Sequence, residues 1–190
     1  NFPSKNTFTW NGHFRDDLRR FWKGDKDTAW NMSDKIKGSP SIYKEDNIFP
    51  KSINFITSHD GFTLKDLVTF NRKHNFANRE QNRDGDNHNN SWNHGTEGPT
   101  TNLLINDLRK RQQKNLVLSL LISKGVPMIL MGDEIGRSQG GNNNSWCQNN
   151  LLGWMNWEHG QQDLELLEYF KYVIKIRKKL INIFNPSFFP

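Results

Sequence analysis

Two runs, SINFITS at 52–58 and VPMILMG at 126–132, constrain the fold most tightly. Each carries apolar side chains on both strand faces, and such strands belong in a sheet that is covered on both sides. Between them, LLINDLRKRQQKNLVLSLLIS (103–123) sets Leu104, Leu108, Leu116, Val117, Leu120 and Leu121 along one stripe, with Ile105 beside it. That spacing predicts an amphipathic helix. Strand, helix, strand predicts a parallel pair joined by a crossover, hence an α/β fold. Such folds gather their functional groups at the carboxyl ends of the strands. Both runs end in acidic residues there: His59-Asp60 before Gly61, and Asp133-Glu134.

Other elements fit around this unit. FTWNGH (8–13) reads as a short extended piece. In FRDDLRRFWKG (14–24), Phe14, Leu18, Phe21 and Trp22 recur at helical spacing. Asp16 and Asp17 come early and Arg19, Arg20 and Lys23 late, an order that complements the helix dipole, with Gly24 as the stop. Residues 25–50 read as a connection with at most one short helix near Thr28 to Ile36. Leu64, Leu67, Val68 and Phe70 mark a short helix after Gly61. Residues 163–180 predict a last helix, packed through Leu166, Leu167, Phe170, Val173, Ile174, Ile181 and the stem of Arg177. The stretch 71–102 is almost free of aliphatic side chains. A loop that long is usually functional or disordered. Phe76 and Trp92 predict an ordered loop with docking points, turned at Asp84-Gly85 and Gly98-Pro99.

Composition removes several classes. No apolar run reaches the length of a membrane span. The first residues show no basic region leading into an apolar stretch, so no targeting segment is visible, and the chain does not begin with Met. Cys147, the single cysteine, excludes an internal disulfide framework and a multi-cysteine metal site, and favours a reducing compartment. The net charge of +6 is concentrated in LRKRQQK (108–114) and KYVIKIRKKL (171–180), read as solvated helix faces and not as a nucleic-acid surface. DGDNHN, starting at Asp84, lacks the ligand spacing of a calcium loop, and His88 and His94 lack a third ligand. Phosphate-loop, serine-elbow and dinucleotide motifs are missing.

What remains is a polar surface rich in amides, with 25 Asn, and in indoles, with 7 Trp. Aromatic faces cover the C–H surface of a sugar ring while amides and carboxylates bond its hydroxyls, so the ligand class indicated is carbohydrate. Asp60 suits a fixed negative charge beside a developing cation, and His59 a hydrogen bond to a hydroxyl. Both equally suit capping of the helix that follows. Asp133 and Glu134 suit acid–base work, or a brace in which Glu134 pairs with Arg83 or Arg137.

NFITSHDGFTLKDLVTFNRKHN, the NRDGDNHNNSWNHGTEGPT loop, LRKRQQKNLVLSLLISKGVPMILMGDE and GNNNSWCQNN together resemble glycogen-debranching enzymes of the isoamylase type, in glycoside hydrolase family 13 of the α-amylase superfamily. The resemblance runs over about residues 8 to 181. It implies a partial (β/α)8 TIM barrel, with FTWNGH, SINFITS and VPMILMG as roughly strands six, seven and eight. It further implies that Asp60 stabilises the transition state and that His59, Asp133, Glu134, Arg83, Asp84 and Trp92 contact or brace the substrate. The substrate implied is a branched α-glucan such as glycogen, with no cofactor, metal, nucleic acid or membrane involved. The location implied is cytoplasmic, or plastid in a photosynthetic source. Asp16, Asp17 and Glu45 match neither the nucleophile nor the acid/base motif. The chain is therefore expected to be the C-terminal portion of the barrel, without strands one to five or a C-terminal β-sandwich, and to be inactive alone. A glucan-binding piece without catalysis, and a related hydrolase or transferase of the superfamily, are the other readings.

Overall fold

The computed structural model describes residues 7–43, 51–158 and 161–184. Three strands, β1 (Thr9–Trp10), β2 (Ser52–Asn54) and β3 (Val126–Pro127), form one parallel sheet in the order β1-β2-β3. Ile53 of β2 pairs with Trp10 on one side and Val126 on the other. Around the sheet lie α1 (Gly12–Lys23), α2 (Ala29–Ile36), the single turn α3 (Leu64–Leu67), α4 (Leu103–Ile122) and α5 (Gln161–Phe184). The two apolar runs are parallel neighbours, as predicted, and the assembly is a partial α/β barrel, not a closed eight-stranded one. Among the described residues no helix is long and apolar enough to cross a membrane.

The strands are shorter than their sequence runs, for a reason visible in the backbone. Asn11 N–H donates to Ile53 O at 3.0 Å, and the chain then turns into α1 at Gly12. Beyond Ile53, β2 has lost that neighbour. The carbonyl of Ile56, still in the core, is taken instead by Arg19, whose Nε and Nη2 donate to it at 2.9 and 2.6 Å. On the other side Pro127 brings no N–H. The final contact there is Met128 N–H to Asn54 O at 2.8 Å. VPMILMG is thus a strand only over its first two residues.

Asn11 shows how polar side chains lock this corner. Its Oδ1 caps α1 through Phe14 N–H at 2.9 Å, while its Nδ2 donates to Ser39 Oγ and Ser52 Oγ at 3.0 and 2.8 Å. Ser52 passes the link to Asn54, and Asn54 Nδ2 donates to Lys124 O at 2.8 Å. Gly125, at φ 122°, lies against this ladder. A Cβ there would sit 2.7 Å from Asn54 Nδ2, so the exit from α4 needs glycine. The helix predicted near Thr28 to Ile36 is α2, and Gly24 ends α1 in the left-handed conformation. Asp16 and Asp17 stand in the second turn of α1. The first turn carries no acid, and the cap is Asn11.

The core gathers Phe14 and Leu18 of α1, Ile56, Phe62, Leu64 and Leu67, then Leu116, Val117, Leu120 and Leu121 of α4, and Leu166, Phe170 and Val173 of α5. Ile181, the last residue of the predicted α5 stripe, lies outside the described side chains, and Glu45 lies outside the described residues. The α4 stripe is buried only in its second half. Leu104 is 81 % exposed, and the inward positions of the first half are Arg109 and Gln113, both buried. This half of α4 borders the polar loop, whose carbonyls need donors more than apolar cover.

The cationic runs are likewise not wholly solvated. Arg109 donates to the carbonyls of Asn93 and Gly98, at 2.8 and 2.9 Å, and also to that of Thr96. Arg177 is buried and donates to those of Leu121, Ser123 and Gly125 at 2.7, 2.9 and 2.6 Å. Leu121 O and Ser123 O close the C-terminus of α4, where a cation also meets the negative end of the helix dipole. Burial lowers the pKa of both arginines, which nevertheless stay protonated. Arg177→Met keeps most of the stem and strands three carbonyls. It should cost about 2–4 kcal/mol in urea denaturation. Arg177→Lys, with one nitrogen for three acceptors, should fall between that variant and the parent.

Candidate active site

Where β2 ends, the chain makes a clamped turn. Asp133, following β3, reaches across: Leu64 N–H donates to its Oδ1 at 2.9 Å, and the Thr57 hydroxyl donates to its Oδ2. Thr63 Oγ1 caps α3 through Asp66 N–H at 3.2 Å. Gly61 N–H donates to Asn143 O at 2.9 Å, which ties the turn to the loop after β3. The flanks are fixed, and His59 and Asp60 project outward at 71 % and 81 % side-chain exposure. His59 Nε2 lies 3.3 Å from Asp60 Oδ2, so the pair converges, as the ended strand permits. The His59 ring also stands edge-on to Trp10, 6.0 Å between centroids.

The pair lines a depression with Leu130, Arg137, Asn144, Ser145 and Trp146. Trp146 is 78 % exposed. Arg137 donates to Gly153 O at 2.7 Å, while its buried Nε has no partner among the described residues. Asp66 sets the loop that carries these groups, accepting from Ser138 Oγ at 2.5 Å and Gln139 N–H at 2.7 Å. Burial raises the Asp66 carboxyl above its ordinary value despite those donors. Arg137 and Trp146 escaped sequence reasoning as site residues. The signal available was GNNNSW itself, an amide run ending in an indole beyond a strand end.

Amides join this loop to the long loop 71–102. Asn75 and Asn143 bond reciprocally, Nδ2 to Oδ1 at 2.8 Å and N–H to Oδ1 at 3.0 Å. Asn143 Nδ2 donates onward to Asn89 Oδ1 and Asp86 O at 2.9 and 2.7 Å. Gly85, at φ 73°, packs against this knot, where a Cβ would stand 2.2 Å from Asn143 Oδ1. Lys73 is buried and donates to the carbonyls of Arg83, Asp84 and Gly85. Glu97 accepts from Asn71 N–H, Arg72 N–H, His74 and Asn93. Burial works to raise its pKa, but these donors prevail and hold it at about 2.

The structure brings His59 and Asp60 together at the mouth, with Asp133 buried beneath the turn. Asp84 is a centre of the loop knot, accepting from Asn78 Nδ2 and Asn144 Nδ2 at 2.6 and 3.0 Å. Burial would raise it, yet those donors and the nearby Lys73 charge keep it below its ordinary value. Arg83 is exposed, with its Nε toward Glu80 O at 3.4 Å. Trp92 stacks on His94 at 4.3 Å and lines a different hollow, with Arg19 and Trp22. Glu134 accepts from Gly132 N–H at 2.9 Å and forms no ion pair with Arg83 or Arg137. Phe76 is 68 % exposed, so it is not a docking point of its loop; the amide and lysine bonds do that work. Among the described residues no three His, Cys, Asp or Glu side chains group to hold a metal.

This geometry, an acid-bearing turn at the carboxyl edge of a parallel sheet, is that of a partial α/β barrel. The chain resembles a fragment of the glycogen-debranching and isoamylase-type enzymes of glycoside hydrolase family 13. It is 47 % identical over 179 residues to a glycogen operon protein GlgX homolog of Mycobacterium bovis, covering 94 % of this chain and 25 % of that protein. It is 46 % identical over 169 residues to the chloroplastic isoamylase 1 of Arabidopsis thaliana, covering 88 % and 22 %. The fold matches a type I pullulanase from Bacillus subtilis, solved with maltose, at a TM-score of 0.63 and 22 % identity, over 90 % of this chain and 22 % of that one. The chain thus spans about a quarter of the length of the curated relatives it matches. No family model matches it.

Burial, against the Leu64 and Thr57 donors, pushes Asp133 from its ordinary 3.8 up to about 7. Between those values the native state keeps a proton that the unfolded chain releases. The contribution of Asp133 to stability is therefore largest below about pH 4, falls as the pH rises, and levels off above about pH 7. Asp133→Asn can accept from Leu64 N–H and donate to the Thr57 hydroxyl. It should flatten this slope and gain on the order of 2 kcal/mol at pH 8, read from urea midpoints at pH 5 and pH 8.

Proposed function

We propose that the protein containing this chain hydrolyses α-1,6 branch linkages in glycogen or a related α-glucan, with retention of configuration. The observation that carries this reading is the exposed His59–Asp60 pair at the carboxyl end of the middle parallel strand, in a chain close in sequence to debranching-type enzymes. Asp60 is charge without a fixed protein partner other than His59, aimed at solvent. Placed under a sugar ring, it stabilises the positive charge that develops at the anomeric carbon. His59 donates to a ring hydroxyl, and Trp146 covers the apolar face of a neighbouring unit.

Retaining hydrolysis also needs a nucleophile and an acid/base, two carboxyl groups about 5–5.5 Å apart. Asp133 is not free for either task, since both its oxygens are engaged and it is 3 % exposed. We assign the two roles to segments of the parent enzyme outside these 190 residues, with the chain as the C-terminal part of its catalytic barrel. We propose a cytoplasmic location, or a plastid one in a photosynthetic source. Glucan binding by the 190 residues alone is a second reading, favoured by the exposure of Trp146 beside the pair.

In the complete protein, Asp60→Asn should lower turnover on a branched glucan by about 10²- to 10³-fold, with urea midpoints little changed. The measurement is reducing-end release from glycogen. Full activity in the variant would remove Asp60 from the mechanism. Robust hydrolysis by the 190 residues alone would show that they hold their own nucleophile and acid.

A further inference from the structure

A cavity lies away from His59 and Asp60. It is a groove of about 260 Å³ between α3, the first half of α4 and the start of α5, with Pro99 and Thr100 along one rim. It is smaller than the roughly 300 Å³ at which drug-sized sites begin, and so suits one small molecule.

Its lining is strongly cationic. Lys65, Arg109, Lys110 and Lys114 contribute four positive charges against one carboxylate, Glu165. Arg109 is occupied by loop carbonyls. Lys114 pairs closely with Glu165 at 2.6 Å, whereas Lys110 stands 4.0 Å from the same carboxylate. Glu165 is thus committed to Lys114. Lys65 makes no hydrogen bond or ion pair through its ammonium among the described residues.

Gln113 supplies an independent observation. It lies in the inward row of α4, only 8 % exposed, and lines the groove. Its side-chain amide has no protein partner among the described residues and remains open to solvent. A ligand oxygen in the groove would give its NH₂ one. The apolar wall is Phe70, Pro99 and Leu166. A free Lys65 ammonium, a Lys110 ammonium held only at 4.0 Å by Glu165, a solvent-open amide donor and a short apolar wall describe a receptor for a compact anion carrying several oxygens.

We propose that this groove is a second ligand site and that it binds a phosphomonoester. Lys65 and Lys110 supply the charge and Gln113 a donor to a phosphate or adjoining hydroxyl oxygen. The site has a route to the cleft. Gly136 and Ser138 line the groove, while Arg137, between them in the chain, lines the depression that holds His59 and Asp60. Ser138 also bonds Asp66, which fixes the same segment. Occupancy of the groove therefore bears on the segment that presents Arg137.

The test is calorimetric titration of the complete protein with inorganic phosphate, a hexose phosphate and maltose in low salt. Saturable binding of the hexose phosphate is expected, with phosphate competing and maltose giving no competition. Lys65→Gln/Lys110→Gln should weaken it about tenfold, as two partly solvated charge contacts allow, and Gln113→Leu should weaken it while leaving the charges in place. Binding of inorganic phosphate alone would assign the site to the free anion, and the same lysine dependence would still uphold it. Absence of saturable binding, or binding that the lysine variants leave unchanged, would overturn the proposal. So would displacement by maltose, which would make the groove a glucan subsite. None of these outcomes depends on hydrolytic activity, so they stand apart from the reading of the cleft.

Discussion

Buried guanidinium groups bonded to main-chain carbonyls are the interaction on which the rest of this structure depends. The strands are two or three residues long, so most of the chain between helices has no ladder to satisfy its backbone. A carbonyl left dry and unpaired costs about 1–3 kcal/mol. Arg19, Arg109 and Arg177 each gather two or more such carbonyls, those of Arg19 from two separate segments. Arg19 joins Ile56, just before the acid-bearing turn, to Asn89 in the long loop. Arg109 closes the end of that loop, and Arg177 binds α5 to the exit of α4. The planar fork of arginine fits this task because its donors point several ways at fixed angles.

The same interaction marks the limit of what the sequence discloses. Element order, the parallel neighbours and the position of the His59-Asp60 turn beyond the middle strand were all legible, because they follow from apolar periodicity and from motifs that resemble a known family. The fate of the arginines was not. In LRKRQQK nothing local separates the buried Arg109 from its neighbours, and in KYVIKIRKKL the helical stripe placed the stem of Arg177 inward without disclosing the carbonyls its guanidinium would meet. The difference arises only when distant carbonyls arrive. Strand length failed for a related reason: a run of β-formers records burial, whereas strand extent depends on where the neighbour turns away, as β1 does at Gly12. Within the candidate site, the His59-Asp60 turn could be read from the chain. The division of labour between Asp84, bound within its loop, and Arg137, in the cleft, required the fold.

Asp133 and Asp60 show two uses of one side chain a short distance apart in the fold. Asp133 is enclosed, engaged on both oxygens and inclined to keep its proton. Asp60 stands in solvent on a turn whose flanks are fixed by Asp133 and by Asn143. Rigidity is placed beside the exposed charge and not upon it. That is the arrangement expected where a carboxylate must face a substrate without being neutralised by its own protein.

The knot around Asn143 has a consequence for how such a chain can change over evolutionary time. Its cohesion comes from amides bonded to one another and to Asp84, with Asn75 and Asn143 bonded reciprocally, so each member is right only while its partner is present. A hydrocarbon core tolerates one substitution at a time because neighbours slide to fill space. An amide exchanged singly leaves a donor facing nothing, or two acceptors facing each other. A single exchange at residues 75, 78, 84, 89 or 142–144 therefore costs more than a matched pair of exchanges, and the two loops they join answer to substitution as one piece.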